Sequence, residues 1–267
     1  MSRLRETLRL SKSLWHGVLQ PAWDFVYPAH CTRCQVPLEA EESRELPRVM
    51  LCGECEQQVD AGMGEQCQRC AAPVGPYLDT SAGCALCRDE RFPFNRVVAL
   101  GAYDQELRRA CLQGKQPGSG PLVASLARLL FRKQSESLRE FAPNIIVPIP
   151  AHWTERCWRP QFPATTVGRE LASLLRIPLR VDLLGKRCRT VPQSSLSPAQ
   201  RRANLKQAFR IRGQADLRGM RVMLVDDVLT TGTTAARASE QLLRAGAGEI
   251  LVAVLARGVG SDRLRTI

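Results

Sequence analysis

From Arg96 onward, short apolar runs alternate with longer stretches whose apolar residues recur at helical spacing. Short runs rich in β-branched residues, such as NIIVPIP, are typical of buried parallel strands. We predict strands in five segments: RVVALGAYD, NIIVPIP, LRVDLL, RVMLVDDV and EILVAVLAR. We predict helices at residues 121–140, at about 164–176, in SPAQRRANLKQAF, and in TTAARASEQLLRAG, which ends at Gly246. Strands that alternate with helices indicate an α/β fold with a mainly parallel sheet covered on both faces.

Residues 1–30 precede this pattern. Four cations give the segment a basic end like that of a signal peptide: Arg3, Arg5, Arg9 and Lys12. However, polar residues and a proline interrupt the following stretch, LWHGVLQPAWDF, and no small-residue cleavage site follows it. No stretch of the sequence is long and apolar enough to cross a membrane. We therefore predict a short amphipathic lead-in, no membrane insertion and a cytoplasmic location.

Residues 31–90 hold eight of the eleven cysteines, which form four CxxC pairs: Cys31/Cys34, Cys52/Cys55, Cys67/Cys70 and Cys84/Cys87. In sequence order they give C-x2-C-x17-C-x2-C and C-x2-C-x13-C-x2-C, although the spacing leaves the pairing order open. Both spacings suit tetrahedral zinc held by four thiolates. Since this region is poor in aliphatic residues, we expect two structural zinc ions to supply on the order of 10 kcal/mol of folding free energy each. The region is predicted to be a double zinc ribbon that contacts nucleic acid or protein, or caps the next domain.

The net charge of +12 is concentrated in one stretch of the chain. Between Arg156 and Arg212 there are thirteen Lys or Arg residues against two acids, Glu170 and Asp182, which leaves +11. A basic stretch attracts phosphate groups, whether they belong to a small substrate or to a nucleic acid backbone. The charge therefore favours a phosphate-bearing ligand without choosing between these two classes.

The segment VMLVDDVLTTGTT, residues 222–234, carries the most specific chemistry. An apolar strand ends in Asp226 and Asp227, and a short turn of threonines around Gly232 then leads into a helix. Ligands of open α/β sheets bind beyond the carboxyl ends of the strands, where a helix N-terminus favours a phosphate. Adjacent carboxylates suit sugar hydroxyls or a cation. A ligand with both a phosphate and a sugar diol satisfies both halves of the motif.

Two simpler interpretations of this segment are weaker. An NTPase with a Walker-B-like strand end needs a partner GxxxxGK[ST] loop, and the chain contains none. Helix capping alone needs one Ser or Thr, whereas four threonines surround the glycine here: Thr230, Thr231, Thr233 and Thr234.

The segment resembles the 5-phosphoribosyl-1-pyrophosphate (PRPP) signature of type I phosphoribosyltransferases. CxxC ribbons followed by such a domain resemble the ComF family of competence-associated proteins, over about residues 25–258. Two further segments are similar to the family's pattern, IIVPIPAHWTERCWR and KRCRTVPQSSLSPAQRRANLKQAF. Eight positions in the second segment match that pattern: Arg187, Thr190, Gln193, Leu196, Arg201, Asn204 and Ala208-Phe209. The resemblance implies a lead-in at 1–30, a double zinc ribbon at 31–90 and a type I phosphoribosyltransferase domain at 95–260.

The resemblance also implies roles for individual residues. Asp226 and Asp227 would hold the ribose hydroxyls, and Thr230–Thr234 would surround the 5′-phosphate. Mg²⁺ would bridge the pyrophosphate to the sugar diol. Three arginines would face the pyrophosphate: Arg156, Arg159 and Arg187. One stretch departs from the family's Arg-Gly-Phe-Asn-Gln run, because Arg159–Ala164 contains neither the Asn nor the Gln at those places. The sequence thus supports PRPP binding more strongly than turnover.

Two hypotheses of function follow. In the first, the protein is a Mg²⁺-dependent phosphoribosyltransferase, an enzyme of the glycosyltransferase class, with an acceptor that the sequence does not name. In the second, it keeps the fold without turnover and binds single-stranded DNA in uptake or recombination, as the association with competence implies. A competence helicase or recombination proteins would then be its partners. A third interpretation, an adaptor that uses only the ribbons, has no support beyond the cysteines.

Overall fold

The computed structural model describes residues 29–38, 47–60, 64–150, 162–186, 208–213 and 215–258. Its helices are α1 (Gly53–Asp60), α2 (Gln105–Gln113), α3 (Gly120–Phe141), α4 (Pro163–Leu175) and α5 (Thr233–Arg244). Its strands are β1 (Arg96–Ala102), β2 (Ile145–Pro148), β3 (Leu184–Lys186), β4 (Phe209–Ile211), β5 (Arg221–Leu229) and β6 (Glu249–Arg257).

Four strands form one parallel sheet in the order β1-β6-β5-β2. The longest pairing joins β5 to β6 and runs from Arg221 opposite Glu249 to Leu229 opposite Arg257. A single parallel bridge between Ile146 and Leu179 extends the sheet beyond β2. Strands β3 and β4 form a separate antiparallel pair. The predicted parallel sheet is therefore confirmed.

Helices cover both faces of this sheet, as predicted. Alternate residues of a strand point to opposite faces, so Val98 of β1 packs into the core with α2, α3 and α4. Its neighbour Val97 packs into a second core on the other face, together with β3, β4 and α5. Helix α5 buries Ala235, Ala238 and Leu242, which share one side of the helix because they are three and seven residues apart.

Some local predictions are wrong. We predicted one strand over LRVDLL, but only Leu179 makes a bridge, and a turn separates it from β3. The turn exposes Val181 and lets Arg180 pair with Asp182 at 3.2 Å. Most of the predicted helix in SPAQRRANLKQAF lies outside the described residues, and its last residue, Phe209, begins strand β4 instead.

Helices α1 and α2 were not predicted. Helix α2 begins after Asp104 and buries Leu107, Ala110 and Cys111 against the core. The i, i+3, i+4 spacing of these residues was a visible helical signal within a segment that we took only as polar. The burial of Cys111 agrees with a packing role for this thiol.

The two cysteine-rich pieces pack against the α/β domain at different places. The first contributes five residues to the core that contains α3: Cys31, Val49, Leu51, Cys55 and Val59. Ion pairs strengthen this contact, joining Arg132 to Glu56 and Lys133 to Asp60. The cysteine region was expected to have little apolar core. Its apolar residues are few, but they are buried in a core shared with the larger domain, which favours the capping alternative.

The second cysteine-rich piece lies against the sheet. Ala71 is buried in the core beside α5, and the backbone N–H of Val97 in β1 donates to the carbonyl of Arg69 over 3.1 Å. Among the residues that the structure describes, no helix combines the length and apolar character needed to span a bilayer.

Candidate phosphate-binding site

The sheet has a topological switch point between β2 and β5. From β2 the chain turns outward through α4 to the bridge at Leu179, whereas from β5 it turns the opposite way through α5 to β6. Divergent connections of this kind leave a crevice beyond the carboxyl ends of the two strands, and this crevice is the usual ligand site of open α/β sheets. Residues 151–161, which follow β2, lie outside the described residues, whereas the loop that follows β5 is described.

Asp226 and Asp227 lie near the carboxyl end of β5, both partly buried. The backbone N–H of Asp227 donates to Oδ1 of Asp226 over 2.9 Å, which holds the two carboxylates in a fixed relation. Burial raises the pKa of Asp226 well above its ordinary value, and the charge of Asp227 raises it further. Two carboxylates in such a position favour a ligand that brings hydroxyl donors or a cation.

Lys115 faces this pair from the loop after α2, and the sequence analysis did not identify it. Its Nζ lies 3.0 Å from Oδ2 of Asp227. Burial lowers the pKa of Lys115, but the facing Asp227 carboxylate more than compensates, and the pKa is raised above its ordinary value. Lys115 therefore stays charged and neutralises part of the acidic pair. Cys111 lies nearby on α2, where burial first and the charge of Asp227 second raise the pKa of its thiol to about 12.

The threonine loop follows directly. Thr230 and Thr231 are exposed, and Gly232 is buried with φ +76°, a left-handed conformation that favours glycine. The hydroxyls of Thr231 and Thr233 lie 2.9 Å apart, and the N–H of Thr233 points to Oγ1 of Thr231 at 3.4 Å. The loop thus brings several hydroxyls together at one end of the sheet, and Gly232 allows a ligand to come close to the backbone there, as the sequence predicts.

Helix α5 begins at this loop and turns its first N–H groups toward it. The first bond back into the helix runs from the N–H of Ala236 to the carbonyl of Gly232 over 2.8 Å, so Thr234 and Ala235 lie in the first turn, where N–H groups lack helical partners. The positive end of a twelve-residue helix dipole lies at the same place. Hydroxyls, free N–H groups and the dipole together make this loop suited to an anion.

The predicted pyrophosphate residues, Arg156, Arg159 and Arg187, lie outside the described residues, so their place stays a prediction. The structure does explain part of the departure noted in the sequence. Pro163 is the first residue of α4, a position where the missing proline N–H has no helical partner to lose. The proline therefore favours the start of helix α4 at this position.

The eight CxxC cysteines form two clusters, Cys31/Cys34/Cys52/Cys55 and Cys67/Cys70/Cys84/Cys87, whose Sγ atoms lie within 4.8 Å of one another in each. This resolves the pairing order as the sequential one. A tetrahedral zinc ion with Zn–S bonds of about 2.3 Å keeps its sulfur ligands about 3.8 Å apart. The Sγ–Sγ separations are 3.6 Å for Cys34 and Cys52, and 3.7 Å for both Cys67–Cys87 and Cys70–Cys84. Both clusters have the size and ligand set for zinc.

The surroundings of these thiols also suit a cation. Burial raises the pKa of Cys67, but backbone N–H groups from Cys70, Arg69 and Cys84 outweigh it and lower the pKa to about 7. Cys31 behaves in the same way in the first cluster, where the pKa is also lowered to about 7. All four thiols of the second cluster are buried, whereas Cys34 in the first is exposed. The first cluster is therefore the more accessible one.

Comparisons with known proteins agree with this fold. The family model described as phosphoribosyl transferase domain matches residues 164–265, which include the acidic pair and the threonine loop. The chain is 30% identical over 234 residues to DNA utilization protein YhgH of Salmonella typhi, an alignment that covers 86% of this chain and 97% of that protein. It is 29% identical over 211 residues to competence protein F of Haemophilus influenzae, which covers 78% and 90% respectively.

Among solved structures, the chain is similar to the purine phosphoribosyltransferase from Pyrococcus horikoshii. The two are 25% identical, the match covers 48% of this chain and 69% of the other, and the TM-score is 0.32. The family match and the parallel sheet confirm the predicted type I phosphoribosyltransferase fold.

Proposed function

The chain belongs to the ComF family of competence-associated proteins, and from this premise we propose that it binds PRPP at the carboxyl ends of β5 and β2. One observation supports the proposal most strongly: the acidic pair at Asp226 and Asp227 lies next to an anion-suited loop, Thr230–Thr234, at the switch point of the sheet. PRPP carries both groups that such a site selects, a ribose diol and a 5′-phosphate.

In this proposal the loop binds the 5′-phosphate. The hydroxyls of Thr230, Thr231, Thr233 and Thr234 and the first N–H groups of α5 donate to its oxygens, and Gly232 lets the backbone come close. Asp226 and Asp227 accept hydrogen bonds from the two ribose hydroxyls. Lys115 keeps the carboxylate of Asp227 in place through their 3.0 Å contact, so the acceptor atoms are oriented before the ligand arrives.

The pyrophosphate end of PRPP is assigned to the basic residues Arg156, Arg159 and Arg187. A Mg²⁺ ion bound with PRPP supplies charge neutralisation for the pyrophosphate, and the carboxylate oxygens of Asp226 and Asp227 are the nearby protein groups that suit a hard cation. In the transfer reaction, an acceptor nitrogen forms a bond to the anomeric carbon of ribose while the bond from that carbon to the pyrophosphate oxygen breaks. The pyrophosphate leaves with the electron pair, and the arginines stabilise the charge that develops on it.

Titration calorimetry of the zinc-loaded protein with PRPP, with and without Mg²⁺, tests this proposal. We expect Mg²⁺-dependent binding that the Asp226→Asn/Asp227→Asn variant weakens by at least about 100-fold, because hydrogen bonds to charged groups contribute about 1.5–3 kcal/mol each. Asp216→Asn is the matched control, since this carboxylate lies at the surface and pairs with Arg218. If the double variant binds PRPP as the wild type does, the site assignment is wrong.

Turnover is a separate measurement. If the protein is an enzyme, pyrophosphate is released from PRPP only in the presence of an acceptor base or amine. Binding without release for every acceptor tested would support a protein that keeps the fold for recognition alone.

A second candidate function is binding of single-stranded DNA. The names of the two relatives refer to DNA utilization and competence, and the basic stretch has a net charge of +11 by the count above. In the described part of this stretch five arginines are exposed: Arg169, Arg176, Arg180, Arg210 and Arg212. Competence helicases and recombination proteins are the proposed partners in that case.

Fluorescence anisotropy with a labelled oligonucleotide separates the two candidates. We expect Arg176→Glu/Arg210→Glu to weaken DNA binding and to flatten its salt dependence, because each lost phosphate contact reduces counterion release. The Asp226→Asn/Asp227→Asn variant should bind DNA as the wild type does. Equal loss in both variants would mean that DNA and PRPP compete for one site.

We also propose that each cysteine cluster holds one structural zinc ion and that the protein works in the cytoplasm. All nine cysteines in the described residues are free thiols, eight of them arranged for metal binding. Such thiols persist in a reducing compartment, where disulfides are disfavoured.

A further inference from the structure

Arg257, the last residue of β6, is a buried arginine that the site described above does not use. Arg257 is only 6% exposed, and no ion pair joins its side chain to a carboxylate among the described residues. Instead, its Nη1 donates to the carbonyls of Leu229, Thr230 and Gly258. Its Nε donates to the carbonyl of Cys70 over 2.9 Å.

These contacts fix the start of the threonine loop. Successive carbonyls of a strand point in opposite directions, so two successive carbonyls that share one nitrogen mark the place where β5 ends. In a planar trans peptide the C=O of one residue and the N–H of the next point oppositely. Because Arg257 holds the carbonyls of Leu229 and Thr230, the N–H groups of Thr230 and Thr231 point away from it. Among the described residues these two N–H groups have no protein acceptor.

Arg257 also joins the loop to the second cysteine cluster. Cys70 is one of the four thiols of that cluster, and its carbonyl lies 187 residues away in sequence from the arginine that binds it. The segment after the cluster reaches the same loop, because a Cβ atom on Gly232 would lie 3.3 Å from Cε1 of Phe92. Phe92 in turn stacks on Phe94, with ring centroids 4.7 Å apart. The loop therefore rests on the second cluster from two directions.

We propose that Arg257 is a positioning residue that presents the N–H groups of Thr230 and Thr231 to a 5′-phosphate and anchors this loop to the second cysteine cluster. The inference rests on the proposed function, since it deepens the account of the same phosphate site. The positive charge of Arg257 lies directly behind the loop. Its hydrogen bonds go to carbonyl groups alone, so the charge is not neutralised and favours an incoming anion. Lysine cannot replace Arg257 here, because its single ammonium group lacks the planar fork that donates from two nitrogens to several carbonyls.

The test compares three ligands on zinc-loaded protein by calorimetry: PRPP with Mg²⁺, ribose 5-phosphate, and pyrophosphate with Mg²⁺. We expect Arg257→Met to weaken PRPP and ribose 5-phosphate by the same factor, about 10- to 100-fold, as for the loss of hydrogen bonds to a charged group. Affinity for pyrophosphate should stay within about twofold, because that group is assigned to other residues. Arg257→Lys should recover only a small part of the loss.

Arg96→Met is the matched control, because Arg96 binds Glu140 and the carbonyl of Ser137 at the start of β1, at the amino end of the strands, away from the loop. Equal affinity of Arg257→Met and wild type for ribose 5-phosphate would overturn the inference, as would full rescue by Arg257→Lys. Failure of both variants to fold, seen as lost zinc and lost circular dichroism, would assign Arg257 to the fold and also overturn it. If the wild type binds neither PRPP nor ribose 5-phosphate, the proposed function itself fails and the inference fails with it.

Discussion

Substitution of Gly232 by alanine tests how closely the threonine loop packs. Gly232 has φ +76°, and a Cβ atom there would lie 3.3 Å from Cε1 of Phe92. Phe92 cannot retreat freely, because it stacks on Phe94 at an interplanar angle of 11°. The loop must therefore move by a few tenths of an ångström if the aromatic pair stays in place.

The expected loss of folding free energy in the Gly232→Ala variant has two parts. The left-handed backbone conformation costs an L-residue about 1–2 kcal/mol, and the tight contact adds roughly 1 kcal/mol. A total of about 2–3 kcal/mol lowers Tm by roughly 4–12 °C in a domain of this size. Gly219→Ala is the matched control, because Gly219 has φ +69° but open space around its Cβ position. It should lower Tm by about 2–8 °C from the backbone term alone.

Scanning calorimetry and PRPP titration of both variants give the answer. We expect Gly232→Ala to lose PRPP affinity in addition to stability, since the loop that holds the 5′-phosphate is displaced, whereas Gly219→Ala should bind PRPP as the wild type does. Equal Tm shifts and unchanged PRPP affinity in both variants would refute the argument that Phe92 supports the loop.

Three further predictions concern charge and metal. Asp226→Asn should raise Tm at pH 7, because burial raises the pKa of Asp226 and such a carboxyl costs stability at every pH above its unfolded-state pKa of about 4. The gain should vanish as the pH falls below about 4, where the wild-type carboxyl is protonated in both states. A gain that persists at low pH would contradict this assignment. Lys115→Met should lower the Mg²⁺ concentration needed for half-maximal PRPP binding several-fold, because the charge that neutralises part of the acidic pair is lost with the 3.0 Å contact to Asp227. An unchanged Mg²⁺ requirement would show that Lys115 is incidental. Native mass spectrometry should find two zinc ions per wild-type chain, and one zinc ion in the Cys52→Ser variant and in the Cys84→Ser variant. The first cluster should lose its zinc to a chelator faster than the second, because Cys34 is exposed. Loss of both ions in one variant would mean that the clusters are not independent.

The sheet and the loop could be predicted because their signals are local. The apolar run before Asp226 marks β5, which the structure extends by only one residue beyond the predicted segment, to Leu229. Gly232 and its flanking threonines mark the turn, and the apolar spacing after them marks α5. The four CxxC pairs likewise predict two metal sites, although only the structure shows which pairs meet.

The rest of the site depends on contacts between distant parts of the chain. Lys115 lies in a loop that has no motif, and its meeting with Asp227 follows from how α2 packs on the sheet. Arg257 appears in the sequence as an ordinary cation at the end of a strand, yet it is buried and binds Cys70 far away along the chain. Tertiary packing decides such pairings, and neither periodicity nor spacing in one sequence reveals them.

The central claim is that PRPP binds at the threonine loop, and hydrogen exchange of the zinc-loaded protein with and without PRPP and Mg²⁺ tests it most directly. We predict that PRPP slows exchange at the backbone N–H groups of Thr230–Ala235 and leaves the β3–β4 pair unchanged. Measurable PRPP binding without protection of these amides would contradict the account and move the site elsewhere.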